Sequence, residues 1–297
     1  MTEVWYLTRR NVKLFFKDKG MFFSSLITPM ILLVLYVTFL YSVYRDSFTS
    51  NIPEGIKISD GIIDGFVSSL LFSSLLAVCT VTVSFCANLS MISDKVTGAR
   101  KDLTIAPIKS STLALGYYFS TAISSLIVCF SATAICFVYI AKMGWYLSAT
   151  DVLLILLDIV LLVMFGTALS SIICFPLTTQ GQMSAVGTIV SAGYGFVAGA
   201  YMPISQFSAV MQKVLSFLPG TYGTSLLKNH ALNGVFNEMS DQNIPSELIT
   251  QTRDVFDCNL YFFDNKVSTG TMYAILGGTV AILIIVYIII NKMKKSK

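Results

Sequence analysis

The distribution of apolar residues along the chain is dominated by six long runs, near Met21–Tyr44, Ile62–Ser93, Leu113–Ile140, Val152–Phe175, Met183–Ile204 and Thr271–Asn291. About 20 apolar residues suffice for a helix to cross a bilayer, so each run predicts a transmembrane helix. The second is too long for a simple crossing and is expected to leave the membrane at one or both ends. The fifth is rich in glycine. Ahead of the first run, Glu3 to Lys19 places Val4, Trp5, Leu7, Val12, Leu14, Phe15 and Phe16 on one half of a helical cylinder and Arg9, Arg10, Lys13 and Lys17 on the other. That pattern predicts an amphipathic helix lying on the membrane surface. The segment Ser205–Gly270 is the one sizeable hydrophilic excursion. Its first part is still apolar enough to dip into the outer leaflet, whereas the acidic stretch 229–270 is expected to form an extracellular cap, with Pro245 and Ser246 opening a short helix.

Composition agrees with this reading, since 55% of the 297 residues are hydrophobic and only 12% are charged, against about 25% charged in an ordinary soluble domain. The expected fold is all-α and integral to the membrane, as one domain over 1–297: an interfacial helix to residue 20, five spans over 21–204, the excursion 205–270 and a sixth span at 271–291. Charge then orients it. Residues 1–20, the loop near 94–112 and the tail 292–297 hold 13 Lys and Arg against 4 Asp and Glu, while the opposite loops hold 7 against 11. The basic side is expected to face the cytoplasm, which places both termini there in a multi-pass protein of the cell membrane. The net charge of +4 comes from residues beside apolar runs, which argues against a nucleic-acid partner and for membrane lipid. No cleavable leader is expected in MTEVWYLTRRNVKLFF.

Candidate chemistry is sparse. No GxxxxGK[ST], HExxH or GxSxG motif occurs, and His230 is the single histidine, which argues against nucleotide binding, catalysis and a metal site on this chain. Five of the six cysteines fall in apolar runs and Cys258 in a polar loop, with no disulfide or metal-binding spacing. Asp158 lies within VLLILLDIVLLVMF, where a carboxylate costs about 2.5–3.5 kcal/mol on insertion scales and needs a partner, a proton or water. Two readings stay open, a pathway or coupling site and a protonated or hydrogen-bonded structural acid. Gly187, Ser191, Gly195 and Gly199 recur every four residues, a small-residue stripe suited to close packing, within one bundle or along a dimer axis or pathway. Pro29 is expected to kink the first span.

The loop SDKVTGARKDLTIAPIKSSTLALGYY resembles the segment after the second span of ABC-2 type ABC-transporter permeases. Asp94, Gly98, Leu103, Pro107 and Ile108 match that family's pattern for a short helix docking on the ATPase, although Lys101 stands where the family usually has an acid. GAYMPISQFSAVMQKVLSFLPGTYGTSLLK is similar to the family's fifth span and the paired re-entrant helices that follow, through Gly199, Met202, Pro203 and Pro219, with Lys228 where an arginine is common. The resemblance implies a permease without catalytic residues or cofactor of its own. It implies a cytoplasmic ABC ATPase subunit that binds ATP and Mg, and a second copy of this chain or a related permease. Export of an amphipathic drug, peptide, toxin or lipid-like substrate is the expected activity. A proton-coupled secondary transporter using Asp158 and a non-transporting membrane scaffold or immunity protein are the alternatives.

Overall fold

A computed structural model describes residues 2–50, 52–53, 56–105, 108–263 and 265–295. Helix α1 (Thr2–Lys17) is followed by α2 (Lys19–Leu35), which Asp18 caps by accepting from the Met21 amide at 3.0 Å. A wider π turn at Tyr36–Leu40 joins α2 to α3 (Tyr41–Ser50) without a break. Pro29 sits inside α2 and does not end it. Then come α4 (Asp60–Ala87), the short α5 (Leu89–Val96) and α6 (Ala99–Ile105), and two long helices, α7 (Ser110–Met143) and α8 (Ala149–Cys174). Helix α9 (Gln180–Val197) precedes a short 3-10 turn at Ile204–Gln206, α10 (Ala209–Leu215), α11 (Pro219–Asp241) and α12 (Ser246–Val255). A two-residue antiparallel ribbon, β1 (Tyr261–Phe262) with β2 (Asn265–Lys266), leads into α13 (Thr269–Lys295).

Five helices among the described residues are long and apolar enough to cross a bilayer: Lys19–Ser50, Asp60–Val96, Ser110–Met143, Ala149–Cys174 and Thr269–Met293. Helix α9 coincides with the glycine-rich fifth run but spans 18 residues, its glycines and hydroxyls diluting its hydropathy. The overlong second run is resolved by a break at Asn88, where α4 stops and α5 begins.

The core is built around α4. The most apolar stretch of its span is 94% buried, against 17% for the spans formed by α2–α3 and by α13. A helix apolar on every side has no polar face to show to water or loops, so it is enclosed by its neighbours. Here those neighbours are α2, α7, α8, α9 and α11. At the break, the buried Asn88 donates to the hydroxyls of Ser170 (3.2 Å) and Ser171 (3.4 Å) on α8, and Thr121 of α7 donates to its carbonyl oxygen at 3.5 Å. One amide thereby fixes the relative heights of three helices.

Helix α11 departs most from the sequence expectation. Its composition is polar and no helix is predicted from the sequence over 229–241, yet one continuous helix runs to Asp241, with Lys228, His230, Leu232, Val235, Phe236 and Met239 buried. It packs on α4, α8 and α13. The expected start of a helix at Ser246 is observed, whereas the ribbon before α13 was not anticipated. The linker between α7 and α8 is wedged among glycines: the Tyr146 ring lies over Gly65 of α4, and its carbonyl oxygen occupies the space a Cβ on Gly234 would need. Because that obstacle is backbone, Gly234→Ala is expected to destabilise the chain by about 1–3 kcal/mol. Gly278→Ala, on an exposed turn of α13 with open space around it, is expected to be neutral or to stabilise by up to about 1 kcal/mol. Thermal unfolding of both variants in detergent measures the difference.

Candidate functional site

The loop carrying the motif after the second span folds as α5 and α6. Asp94 is 8% exposed and accepts from both terminal nitrogens of Arg10, at 2.9 and 3.2 Å, and from the Tyr117 hydroxyl at 2.7 Å. This forked, charge-assisted pairing joins α1, α5 and α7. The same hydrogen bond to Asp94 is the main reason the Arg10 guanidinium binds its proton more tightly than usual. The next residue turns the opposite way: the Lys95 ammonium donates to the carbonyl oxygens of Cys174 (3.2 Å), Phe175 (2.5 Å) and Leu177 (2.9 Å) at the C-terminal end of α8. Carbonyls there lack helical partners and concentrate negative charge, so a lysine is well matched to them. Two adjacent residues of α5 therefore hold the middle of α1, the second turn of α7 and the end of α8.

Gly98 adopts φ +85°, a left-handed conformation that side chains resist, and lets the chain turn from α5 into α6. Leu103 and Ile108 are half-buried against the chain's own core, while Ile105 stands 82% exposed and Val96, at the end of α5, is exposed too. Pro107 lies outside the described residues. The amphipathic α1 is also held by more than lipid: Leu7, Thr8, Asn11 and Phe15 are buried, and its principal contact is α7, where Leu7 lies on Gly116.

A second polar constellation lies within the membrane. Asp158 is completely buried, and its two oxygens are taken by different helices: His230 Nδ1 of α11 lies 2.6 Å from one, and the Tyr273 hydroxyl of α13 donates to the other at 2.6 Å. The His230 and Tyr273 rings stack at 6.2 Å. The partner that an intramembrane carboxylate requires is thus the chain's single histidine. Above it opens a polar vestibule of about 450 Å³ lined in part by Asp151, Asn229, Asn233 and Arg253. A third constellation, invisible in the sequence, pairs Lys228 with Asp257 at 3.3 Å, both almost fully buried. Lys228 also donates to the Gly199 carbonyl at 2.8 Å, and Asp257 accepts from the amides of Ile204 (2.6 Å) and Ser205 (3.2 Å). The pair fastens α11 to the chain leaving α9. Neighbouring Cys258 is a buried thiol whose pKa burial pushes up to about 12, so it is not a reactive nucleophile.

The small-residue stripe is divided by the structure. Gly195 is covered by the Tyr201 ring, whose hydroxyl donates to the Ser191 carbonyl at 3.2 Å, so this half of the stripe receives the chain's own return segment. Gly199 falls beyond the end of α9 with φ +70° and is not part of the helix face. Gly187 has open space around it. Pro203 precedes the 3-10 turn, and Pro219 occupies the first turn of α11, where its missing N–H costs no helical bond.

These features define an all-helical, multi-pass membrane protein with its polar contacts concentrated at helix ends and between helices. Residues 2–229 match the family model described as ABC-2 type transporter, which covers most of the chain, and the protein belongs to that family. It is a permease domain of that class and has no ATPase activity. Among curated proteins, none matches the chain.

The Asp158 constellation makes a sharp energetic prediction. Asp158→Ala removes the acceptor of a buried imidazole and a hydroxyl together, and His230→Ala removes one of its donors; each is expected to cost about 1–3 kcal/mol. The double variant should cost less than the sum of the two by at least about 1 kcal/mol, because the second substitution breaks a pair already lost. Additive losses in thermal or denaturant unfolding would show that the two groups do not act on one another.

Proposed function

We propose that the chain is the membrane half of an ATP-driven exporter, working with a cytoplasmic ABC ATPase subunit and with a second permease, either another copy of itself or a related chain. The observation that carries the reading is the construction of α5. Asp94 grips α1 and α7, and Lys95 grips the end of α8, so a push on α5 and α6 reaches three membrane-associated helices through charged contacts rather than through a flexible loop. Rigid elements with two packed arrangements are what a rocking or hinge cycle requires. ABC-2 permeases as a class pair with ABC ATPase subunits, which supplies the source of the push.

In this reading the ATPase meets the exposed apolar surface of Ile105 and Val96, while Gly98 sets the angle of α6 and Leu103 and Ile108 seat it on the membrane domain. Asp94, first read as part of the docking motif, serves as the anchor that transmits the motion. Helix α9 is taken as the fifth of six spans, α10 and the start of α11 as the re-entrant pair, and both termini as cytoplasmic. The transported molecule is proposed to be amphipathic, in keeping with walls of aliphatic, aromatic and small hydroxyl groups. Asp158 is assigned to joining α8, α11 and α13, since both its oxygens are occupied by partners on other helices.

Placing a charge in an apolar contact costs several kcal/mol. Ile105→Asp is therefore expected to reduce co-purification of the ATPase by at least tenfold while leaving the unfolding temperature of the isolated chain unchanged. Leu103→Asp is expected to lower both, because Leu103 also packs inward. A cysteine at position 105 should crosslink to the ATPase and one at position 241 should not. Normal ATPase recovery with Ile105→Asp, or equal crosslinking at the two positions, would remove this surface from the coupling contact.

A further inference from the structure

An apolar groove of about 310 Å³ lies between α2 and α7, floored by Leu75 of α4 and closed at one end by Phe16 of α1. Its walls include Phe22, Pro29 and Leu33 on one side and Ile135 on the other. The hydroxyl of Ser131, a polar group in the lining, is already donated to the Ile127 carbonyl at 2.8 Å, leaving no polar atom there that asks for water. From Phe22 to Leu33 the α2 wall covers 12 residues, a rise of about 16 Å. Half of a bilayer's hydrocarbon core is about 15 Å thick. The groove is thus one leaflet deep, and it starts at the level where α1 meets α2.

Its mouth has a distinct chemistry. Phe16 and Phe22 lie there with ring centres 5.7 Å apart, Phe16 on the apolar face of α1, a face that an interfacial helix buries at the boundary of headgroups and acyl chains. Lys13 lies one helical turn before Phe16, Lys17 directly after it, and Lys19 at the start of α2. All three are exposed and carry no ion pair among the described residues, whereas Arg10 is already paired with Asp94. The nearest acid, Asp18, accepts from the Met21 amide as the cap of α2. A dry slot one leaflet long, closed by Phe16 in a segment that carries three exposed lysines at positions 13, 17 and 19, is complementary to one kind of molecule.

From this complementarity we infer that the groove is a binding site for a single anionic phospholipid, with an acyl chain held between α2 and α7 and its phosphate-bearing headgroup at Lys13, Lys17 and Lys19. The lipid bridges α1 to the membrane helices next to the Arg10–Asp94 contact, so it stiffens the link between the N-terminal helix and α7 and selects for negatively charged membranes. The inference requires that the chain spans a bilayer and does not depend on coupling to an ATPase.

Native mass spectrometry of the full chain reads the site directly, using detergent micelles doped with equal amounts of phosphatidylglycerol and phosphatidylcholine. The expected result is one retained phosphatidylglycerol per chain, in clear excess over phosphatidylcholine. In the Lys13→Gln, Lys17→Gln, Lys19→Gln variant, the preference should fall by about fivefold for each lysine removed, the factor that corresponds to one basic residue near an anionic surface. Ala132→Trp, which fills the groove, should lose the retained lipid of either kind. Should that variant fail to fold, Ile135→Trp on the exposed rim of the wall, where Ile135 is 60% exposed, replaces it. Equal retention of the two lipids by the unaltered chain overturns the proposal, as does unchanged phosphatidylglycerol binding in the lysine variant or in a folded groove-filling variant. A lipid-free dimer that disappears when the groove is filled would assign the groove to a second copy of the chain, and would also overturn it.

Discussion

A polar group buried within a bilayer must find its partner inside the protein, because the hydrocarbon offers none and each unsatisfied group costs several kcal/mol. The rest of this structure depends on that constraint. Apolar packing alone discriminates little among helix arrangements in lipid, since a leucine is as well solvated by acyl chains as by another helix. The buried polar residues do discriminate. Asn88 needs Ser170, Ser171 and Thr121; Asp158 needs His230 and Tyr273; Lys228 needs Asp257 and the Gly199 carbonyl. Each set draws on at least two elements far apart in the chain, and together they fix how α4, α7, α8, α11 and α13 stand against one another.

These contacts occur at three levels, and each level has its own chemistry. At the end bearing α1, α5 and α6 the partners are full charges, Arg10 with Asp94 and Lys95 with the carbonyls closing α8. Between the ends, apart from Asp158 with His230 and Tyr273, they are hydroxyls and one amide, cheap to bury because a hydroxyl can also bond back to its own helix, as Ser84 does to the Thr80 carbonyl at 2.6 Å. At the opposite end charges return, with Arg45 bridging Asp60 and Asp64 between α3 and α4, and Asp257 receiving Lys228. Charged clasps at both ends with a softer middle suit a bundle whose helices tilt as units.

The lipid groove and the α5 clasp meet at α1. Arg10 on that helix is committed to protein, and Lys13 and Lys17, on the same half of the helix, are exposed and carry no ion pair among the described residues. On the proposed lipid site, membrane composition has a physical route through α1 to the helices that α5 grips.

Bilayer-length apolar runs, the amphipathic helix ahead of them and the excess length of the second run were legible in the sequence because they follow from local periodicity and from the thickness of hydrocarbon, neither of which needs a third dimension; the break at Asn88 was not. The glycine at position 98 was singled out through the resemblance to the family's motif, and its left-handed backbone is the local demand that a glycine meets there. The need of Asp158 for a partner could also be read from its aliphatic flanks. Which partner it takes could not. His230 lies 72 residues away on a helix too polar to look buried, and it is buried because α4, α8 and α13 enclose that helix and pair its polar groups. Asp94 could be matched to a docking motif but not to Arg10, and Asp257 carried no signal at all among the acids of a polar loop. The sequence by itself therefore determined that the chain lives in a membrane, roughly where it crosses and which family it resembles. Tertiary structure alone decided which polar residues meet, because burial of a charge or an imidazole is set by the sum of its neighbours from distant helices, a quantity that no stretch of consecutive residues contains.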